Sequence, residues 1–254
     1  MLRKLLCMAL ASLPLWAGAQ PITVRADQWM PVNGKPGDAG AEGLYIDILR
    51  AVGKTNGTAI DYQLQSWADA VEGAQAGRTD CVVGAAREDA PGLRFAARPW
   101  LVGRIAWFRS VDRTQIKAET VADLAQFKLG VIGGYTYGDD VDTLIKAQPA
   151  DKLESVTSSR DPLNAVIMRL VTGRIELALE TDFVMQAKLR QLQLSDRIVQ
   201  AGRSAEETEF YFACNNNPRV TTFMQAVDSW VEAGRTDGTL AAFYAPYGLE
   251  VPAR

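Results

Sequence analysis

Ala76-Gly77-Arg78-Thr79-Asp80-Cys81-Val82-Val83 returns, 96 positions later, as Thr172-Gly173-Arg174-Ile175-Glu176-Leu177-Ala178-Leu179. Each copy follows a run with helical periodicity, stops it with Gly, and enters a short apolar run that reads as a strand. The repeated unit is helix, tight turn, buried strand, which predicts two similar α/β lobes in one chain. Two lobes make a cleft, and a cleft suggests a ligand.

Working outward from the first copy, the order from Gln20 reads strand, helix, strand, helix, strand. The strands are Ile22 to Ala26, Ile60 to Leu64 and Cys81 to Ala85. One helix carries Tyr45, Ile48, Leu49 and Val52 on one face, the other Trp67, Ala70, Val71 and Ala74, both at the spacing of a buried helical stripe. Ser66, with Asp69 three residues on, has the pattern of a capping box.

The second half repeats this plan. Thr120 and Asp123 form another capping pattern, followed by strand Lys128 to Ile132, a helix with Val141, Leu144 and Ile145, and strand Leu153 to Val156. Asp161-Pro162 starts a helix with Asp as N-cap and Pro at N1, and strand Ile175 to Leu179 closes the unit. Gly103 to Ser110 and Glu209 to Cys214 read as two extended runs joining the halves, a double hinge. A helix with Phe223, Ala226, Val227 and Trp230 and a short one near Leu240 to Tyr244 end the chain. The pentapeptide Ala233 to Asp237 copies residues 76 to 80 without a following strand, and reads as a helix stop.

The first 19 residues have the pattern of a secretory signal: Arg3 and Lys4, an apolar stretch from Leu5 to Trp16, and Ala17-Gly18-Ala19 before Gln20. Pro14 and the shortness of the apolar run argue against a membrane anchor. The expected division is 1–19 signal peptide, 20–107 plus 210–254 first lobe, and 108–209 second lobe. Without Arg3 and Lys4, 25 basic residues face 30 acidic ones, a net charge near −5, which disfavours nucleic acid as a partner. The chain has no histidine, which removes the usual zinc ligand and every Ser/His/Asp or Cys/His nucleophilic device; no metal and no cofactor is expected.

Some loops leaving strand ends carry candidate ligand groups of their own. Asp27 after the first strand offers a carboxylate for an ammonium, and Trp29 a ring whose face attracts cations by about 0.5–2 kcal/mol. Gly133-Gly134-Tyr135-Thr136-Tyr137-Gly138 leaves a strand and enters a helix, an arrangement whose free amides attract an anion. It lacks the Gly-Lys-Ser/Thr end of a nucleotide loop, so the expected anion is a carboxylate, with Tyr135, Thr136 and Tyr137 at the site.

In order along the chain, several segments resemble one known family, the extracytoplasmic solute-binding proteins of ABC importers for polar amino acids, which have the type II periplasmic-binding-protein fold. Gly43-Leu44-Tyr45-Ile46-Asp47-Ile48 resembles the family's Gly-Phe-x-x-Asp-Leu, and Ser66-Trp67 its aromatic after the second strand. Gly84 to Trp100 resembles the segment that ends Phe-Ser-x-Pro-Tyr. Thr120 to Leu124 with Leu129-Gly130-Val131 resembles the opening of the second lobe, and Gly238 to Gly248 the family ending.

The resemblance implies an α/β fold of two βαβαβ lobes on a two-segment hinge, closing on a small polar solute, an amino acid or related zwitterion. It further implies a monomer in the periplasm that serves a permease of the inner membrane. It places Trp67 as a ligand-stacking aromatic, although Trp67 also falls on its helix's apolar stripe. Gly84 and Arg87 join the site after the third strand, Arg87 as clamp for the ligand carboxylate. Counting back from Phe95, however, the family's Arg falls near Asp89, so Arg87 fills that role only in a redrawn loop.

The family's second-lobe Asp falls at Thr181, between Glu180 and Asp182, and Glu180 is the better substitute. The family's sheet order brings Cys81 beside Cys214, as a cross-strand disulfide or as two buried thiols. Two other functions remain open on this scaffold: an exported cyclohexadienyl-dehydratase-like enzyme using Glu180 or Asp27 as acid, and a sensing module that reports ligand to a receptor.

Overall fold

A computed structural model describes residues 20–37, 42–157 and 160–253. The expected signal peptide lies outside the described residues. The first half runs β1 (Ile22–Ala26), α1 (Leu44–Thr55), β2 (Ile60–Leu64), α2 (Trp67–Gln75) and β3 (Cys81–Ala85), then the short strands β4 (Arg94–Phe95) and β5 (Leu101–Gly103). The second half holds β6 (Ile105–Ser110), β7 (Leu129–Ile132), α3 (Asp139–Ala147), β8 (Leu153–Val156), α4 (Pro162–Val171), β9 (Leu177–Thr181), α5 (Asp182–Gln191) and β10 (Ile198–Arg203). The chain then returns through β11 (Thr208–Cys214) and ends in α6 (Pro218–Asp237) and α7 (Thr239–Tyr244).

The elements form two sheets. The first has the order β2-β1-β3-β11-β4 with β5 beside β11; the second has the order β10-β6-β9-β7-β8. In each, three parallel strands are joined by helices and an antiparallel strand arrives from the other half: β11 beside β3, and β6 beside β9. The two repeats of the sequence have the same geometry. Gly77 and Gly173 take φ of +70° and +71° directly after the C-caps of α2 and α4, the left-handed turn that glycine enters at no steric cost. Four residues on, each copy enters a fully buried five-residue strand, β3 or β9.

Local signals set the helix starts. Ser66 accepts a hydrogen bond from the Asp69 backbone N–H ahead of α2, and Asp161 accepts one from Asn164 ahead of Pro162 and α4. The core of the first lobe gathers Val24, Ile48, Leu49, Val52, Phe212 and Val227, all with essentially no exposure. Trp107 anchors a second cluster, with its Nε1 donating to the Ala118 carbonyl at 2.6 Å. Cys81 and Cys214 lie opposite one another on β3 and β11 and are joined as a disulfide, tying together strands 133 residues apart. Among the described residues, no helix is long and apolar enough to cross a membrane.

Several boundaries differ from expectation. The last strand of the second repeat begins at Leu177, not Ile175; Ile175 sits in the turn, where its Cδ1 covers Gly130 so closely that a Cβ there would lie 2.2 Å away. The copy at Ala233 to Asp237 does not stop a helix at its glycine. α6 runs through Gly234, which leaves room for Leu240 of α7, and ends only at Gly238 with φ +82°. The chain crosses between sheets at Arg104 and again over 204–207. These crossings lie side by side: the Ser204 N–H donates to the Ile105 carbonyl at 2.7 Å, and Arg104 pairs with Glu207 at 3.0 Å.

Candidate functional site

The carboxyl ends of β1, β3 and β9, the turn after β7 and the first turn of α2 converge between the two sheets. They enclose a cavity of about 20 Å³, room for about one water-sized group. Asp27, Trp29, Trp67, Gly84, Tyr135, Thr136, Tyr137 and Glu180 all line it, together with Asn33, Asp89 and Phe210.

β1 ends one residue before Asp27, so the carboxylate is delivered to the cleft floor, almost wholly buried. Its Oδ2 accepts from the Tyr135 hydroxyl at 2.7 Å, a bond from the second lobe to the first. Trp29 follows in a tight turn, with its N–H donating to the Asn33 carbonyl at 2.9 Å and Asn33 Nδ2 reaching back to the Asp27 carbonyl. Across the cleft, Trp29 Nε1 donates to Glu180 Oε1 at 3.1 Å. Glu180 also accepts from the Thr181 N–H at 2.7 Å, while its Oε2 is buried without a partner among the described residues.

The repeat explains where Glu180 sits. The 96-residue offset places it at the position that Gly84 holds in the first copy, one residue before the end of the third strand. Gly84 has φ +75°, and a Cβ there would lie 3.0 Å from the Trp29 ring. Gly84→Ala is therefore expected to strain the backbone and push Trp29 from Glu180, at a cost of about 1–3 kcal/mol. The checks are a melting temperature lower by several degrees and an altered tryptophan emission spectrum; an unchanged spectrum with unchanged melting would contradict this packing.

Trp67 occupies both of its expected places. It packs with Ala70, Val71 and Ala74 on the buried side of α2, and its ring meets Tyr135 edge-on at 6.2 Å while lining the cavity. Tyr137 contributes its ring, but its hydroxyl accepts the Ile132 N–H at 2.7 Å and so holds its own turn together.

Two expectations about anion recognition are changed by the geometry. Arg87 does not line the cavity: its guanidinium lies over the rings of Tyr211 and Phe95, at 4.5 Å and 5.1 Å, beside a separate, more open depression. The turn after β7 does bind a carboxylate, but one supplied by the chain. Asp89 Oδ1 accepts from the Thr136 N–H at 2.9 Å and from its hydroxyl at 2.6 Å, and Oδ2 accepts from the Ala86 N–H at 3.1 Å. Asp89 stands near the position counted for the arginine of the resembled family.

The result is three carboxylates and, among the described residues, no lysine or arginine around one cavity. Burial pushes each of them up: Asp27 to about 7, against the lowering effect of Tyr135; Asp89 to about 6, against Thr136; and Glu180 to about 8, against the Thr181 amide and Trp29. Neighbouring charge adds to this, from Asp161 and Asp89 on Asp27 and from Asp27 on Glu180. A site so arranged accepts hydrogen bonds and positive charge.

No family model and no curated protein matches the chain. Solved structures match it over almost its full length. A Streptococcus pneumoniae substrate-binding protein of an ABC uptake transporter, with bound histidine, superposes with a TM-score of 0.77 at 18% identity, covering 92% of this chain and 95% of that one. The chain has the periplasmic-binding-protein fold.

Two further structures of this fold match the chain. A histidine kinase sensor domain similar to periplasmic binding proteins matches with a TM-score of 0.75 at 18% identity, covering 91% of this chain and 98% of that one. An ancestral amino-acid-binding protein, a precursor of cyclohexadienyl dehydratase, matches at 0.70 and 18%, covering 89% and 95%. In such a periplasmic-binding-protein fold the two sheets are the two lobes, and the cavity lies at the cleft between them.

Proposed function

We propose that this protein is an extracytoplasmic solute-binding protein that captures a small polar solute between its lobes and delivers it to an ABC permease. The observation that carries this reading is that side chains from both lobes meet around one buried polar cavity: Asp27 with Tyr135, Asp89 with Thr136, and Trp29 with Glu180. A solute touching both sides stabilises the closed arrangement by its differential contacts, and the two crossings near Arg104 and 204–207 supply the hinge. The pattern of residues 1–19 supports export to the periplasm, and the fold's importer relatives support the permease as partner.

The enzymatic alternative draws on one specific feature. Glu180, pushed up to about 8 in a buried site, is protonated at neutral pH as a general acid must be. Yet prephenate and arogenate are themselves carboxylates, and among the described residues no cation lines the cavity to receive one. The fold serves sensors as well as importers, so closure on a ligand is the property common to the transport and sensing readings.

The test is a thermal-shift screen of the purified protein against amino acids, amines and organic acids, followed by recovery of the ligand. A compound binding only the folded state at 100 times its dissociation constant adds about 2.7 kcal/mol. A saturable shift with the compound recovered intact is the expected result. Conversion of prephenate or arogenate would establish the enzyme instead, and silence across all three classes would end the solute-binding reading.

A further inference from the structure

We infer that the solute taken by this cleft is an organic cation carrying no carboxylate, a small amine whose ammonium group enters the cavity between Asp27 and Glu180. The inference rests on the solute-binding reading above and specifies its ligand. An amino acid needs a positive partner for its carboxylate, and among the described residues no lysine or arginine lines the cavity. The amide and hydroxyl of Thr136, which would otherwise receive that carboxylate, are already bonded to Asp89. An incoming carboxylate would instead face three carboxyl groups.

The unpartnered buried atoms point the same way. Glu180 Oε2 and Asn33 Oδ1 belong to lining residues about 1% exposed, and neither has a hydrogen-bond partner among the described residues. Asn33 Oδ1 can only accept, and Glu180 Oε2 accepts once an adjacent ammonium favours the carboxylate and its proton passes to solvent, so one donating cation satisfies both. Trp67 Nε1, a buried donor without a partner among the described residues, calls for an acceptor atom, such as a hydroxyl, elsewhere on the ligand. Trp29, Trp67, Tyr135 and Phe210 surround the space with aromatic rings, which favour cations over anions. The enclosed volume of about 20 Å³ suits one ammonium group.

A separate observation lies outside the cavity. Thr136 also borders a depression of about 320 Å³ lined by Glu88, Asp139, Asp142, Glu206, Glu207 and Glu209, with Arg87 as the one basic residue among the described residues that line it. These acidic side chains, five besides the Glu207 that pairs with Arg104, draw cations toward the Thr136 side of the cavity and repel anions. Among the described residues, no group of three or more acidic, cysteine or histidine side chains is arranged to hold a metal ion, which directs the inference to an organic cation.

Matched pairs differing only in the carboxylate test this directly: agmatine with arginine, putrescine with ornithine, histamine with histidine, and ethanolamine with serine. Calorimetric titration of the wild-type protein is expected to give at least one amine a dissociation constant about tenfold or more below that of its amino acid. Glu180→Gln, of nearly the same shape, is expected to weaken that amine by about tenfold or more. An amino acid binding as tightly as its amine would overturn the inference while leaving solute capture standing. Failure of every amine, amino acid and organic acid would overturn both, and unchanged amine affinity in Glu180→Gln would remove Glu180 from the site.

Discussion

Raising the pH from 5 to 9 is expected to open the ligand-free cleft. Asp27, Asp89 and Glu180 hold protons up to about 7, 6 and 8 when the lobes are closed, against ordinary values of 3.8, 3.8 and 4.5 when hydrated. Across this range the closed form therefore binds more protons than a form in which water reaches the carboxylates. Closure loses free energy as pH rises through 6 to 8, and is fully favoured only below about 4. Each tenfold difference in proton affinity between the two forms is worth about 1.4 kcal/mol, so the three groups together destabilise closure by on the order of 8 kcal/mol between pH 5 and 9.

The cross-lobe bonds oppose this without cancelling it. Tyr135 to Asp27, Thr136 to Asp89 and Trp29 to Glu180 each contribute about 1–2 kcal/mol, and the ordering of the lobes offsets part of that. Small-angle scattering across the pH series should show the radius of gyration increasing, with the emission of Trp29 and Trp67 shifting to the red as water reaches them. An amine bound at pH 9 should reverse both changes, because its charge replaces the lost protons. A radius constant from pH 5 to 9, with constant emission, would rule the expectation out. Glu180→Gln, which removes the group with the highest value, should flatten the upper part of the transition.

Much of this fold can be read from local sequence because the repeat carries it. The same offset that aligns Gly77 with Gly173 aligns Cys81 with Leu177 and Gly84 with Glu180, while Glu180 is singled out as a candidate only by counting against the resembling family. Ile175 misleads because it is apolar and buried, yet it plugs the space over Gly130 from the turn. α5 escapes periodicity because Lys188 stands buried on its inner face, paired with Asp161 at 2.7 Å, so a charged residue occupies an apolar position. β10 is an edge strand interrupted by a bulge between Gln200 and Gly202 and buries little besides Ile198, which leaves no alternation to read.

Asp89 is the group that local sequence hides. Its partner Thr136 lies 47 residues away on the opposite lobe, and only the approach of the lobes turns a loop carboxylate into an occupant of an anion site. Counting against the resembling family singles out the neighbourhood of Asp89 only as a place without an arginine. The structure shows Asp89 bonded to Thr136 and Arg87 lying over Tyr211 and Phe95.

Asp89→Arg is accordingly expected to exchange the ligand class of the cleft. The substitution frees the Thr136 amide and hydroxyl for a carboxylate and places a guanidinium at the mouth of the same cavity, where it can grip that carboxylate by a planar pair of N–H groups. Asp27 and Glu180 remain to receive an ammonium, so the variant presents opposite charges at the two ends of one site. Two charge-assisted bonds at about 1.5–3 kcal/mol each predict a gain of about a hundredfold or more in affinity for an α-amino acid.

The longer side chain does not fit beside a cavity of about 20 Å³, so the ligand-free variant should be more open than the wild type, and amino acid should close it. Amine affinity should fall, since the guanidinium repels a second cation. Titration of wild type and variant with the four matched pairs reads both changes in one experiment. An Asp89→Arg protein that binds amines as before and gains no amino acid would mean that the carboxylate at this position does not decide what the cleft accepts. Asp89→Asn separates the contributions: it removes the negative charge but can still accept from Thr136, and should weaken amines without creating an amino-acid site.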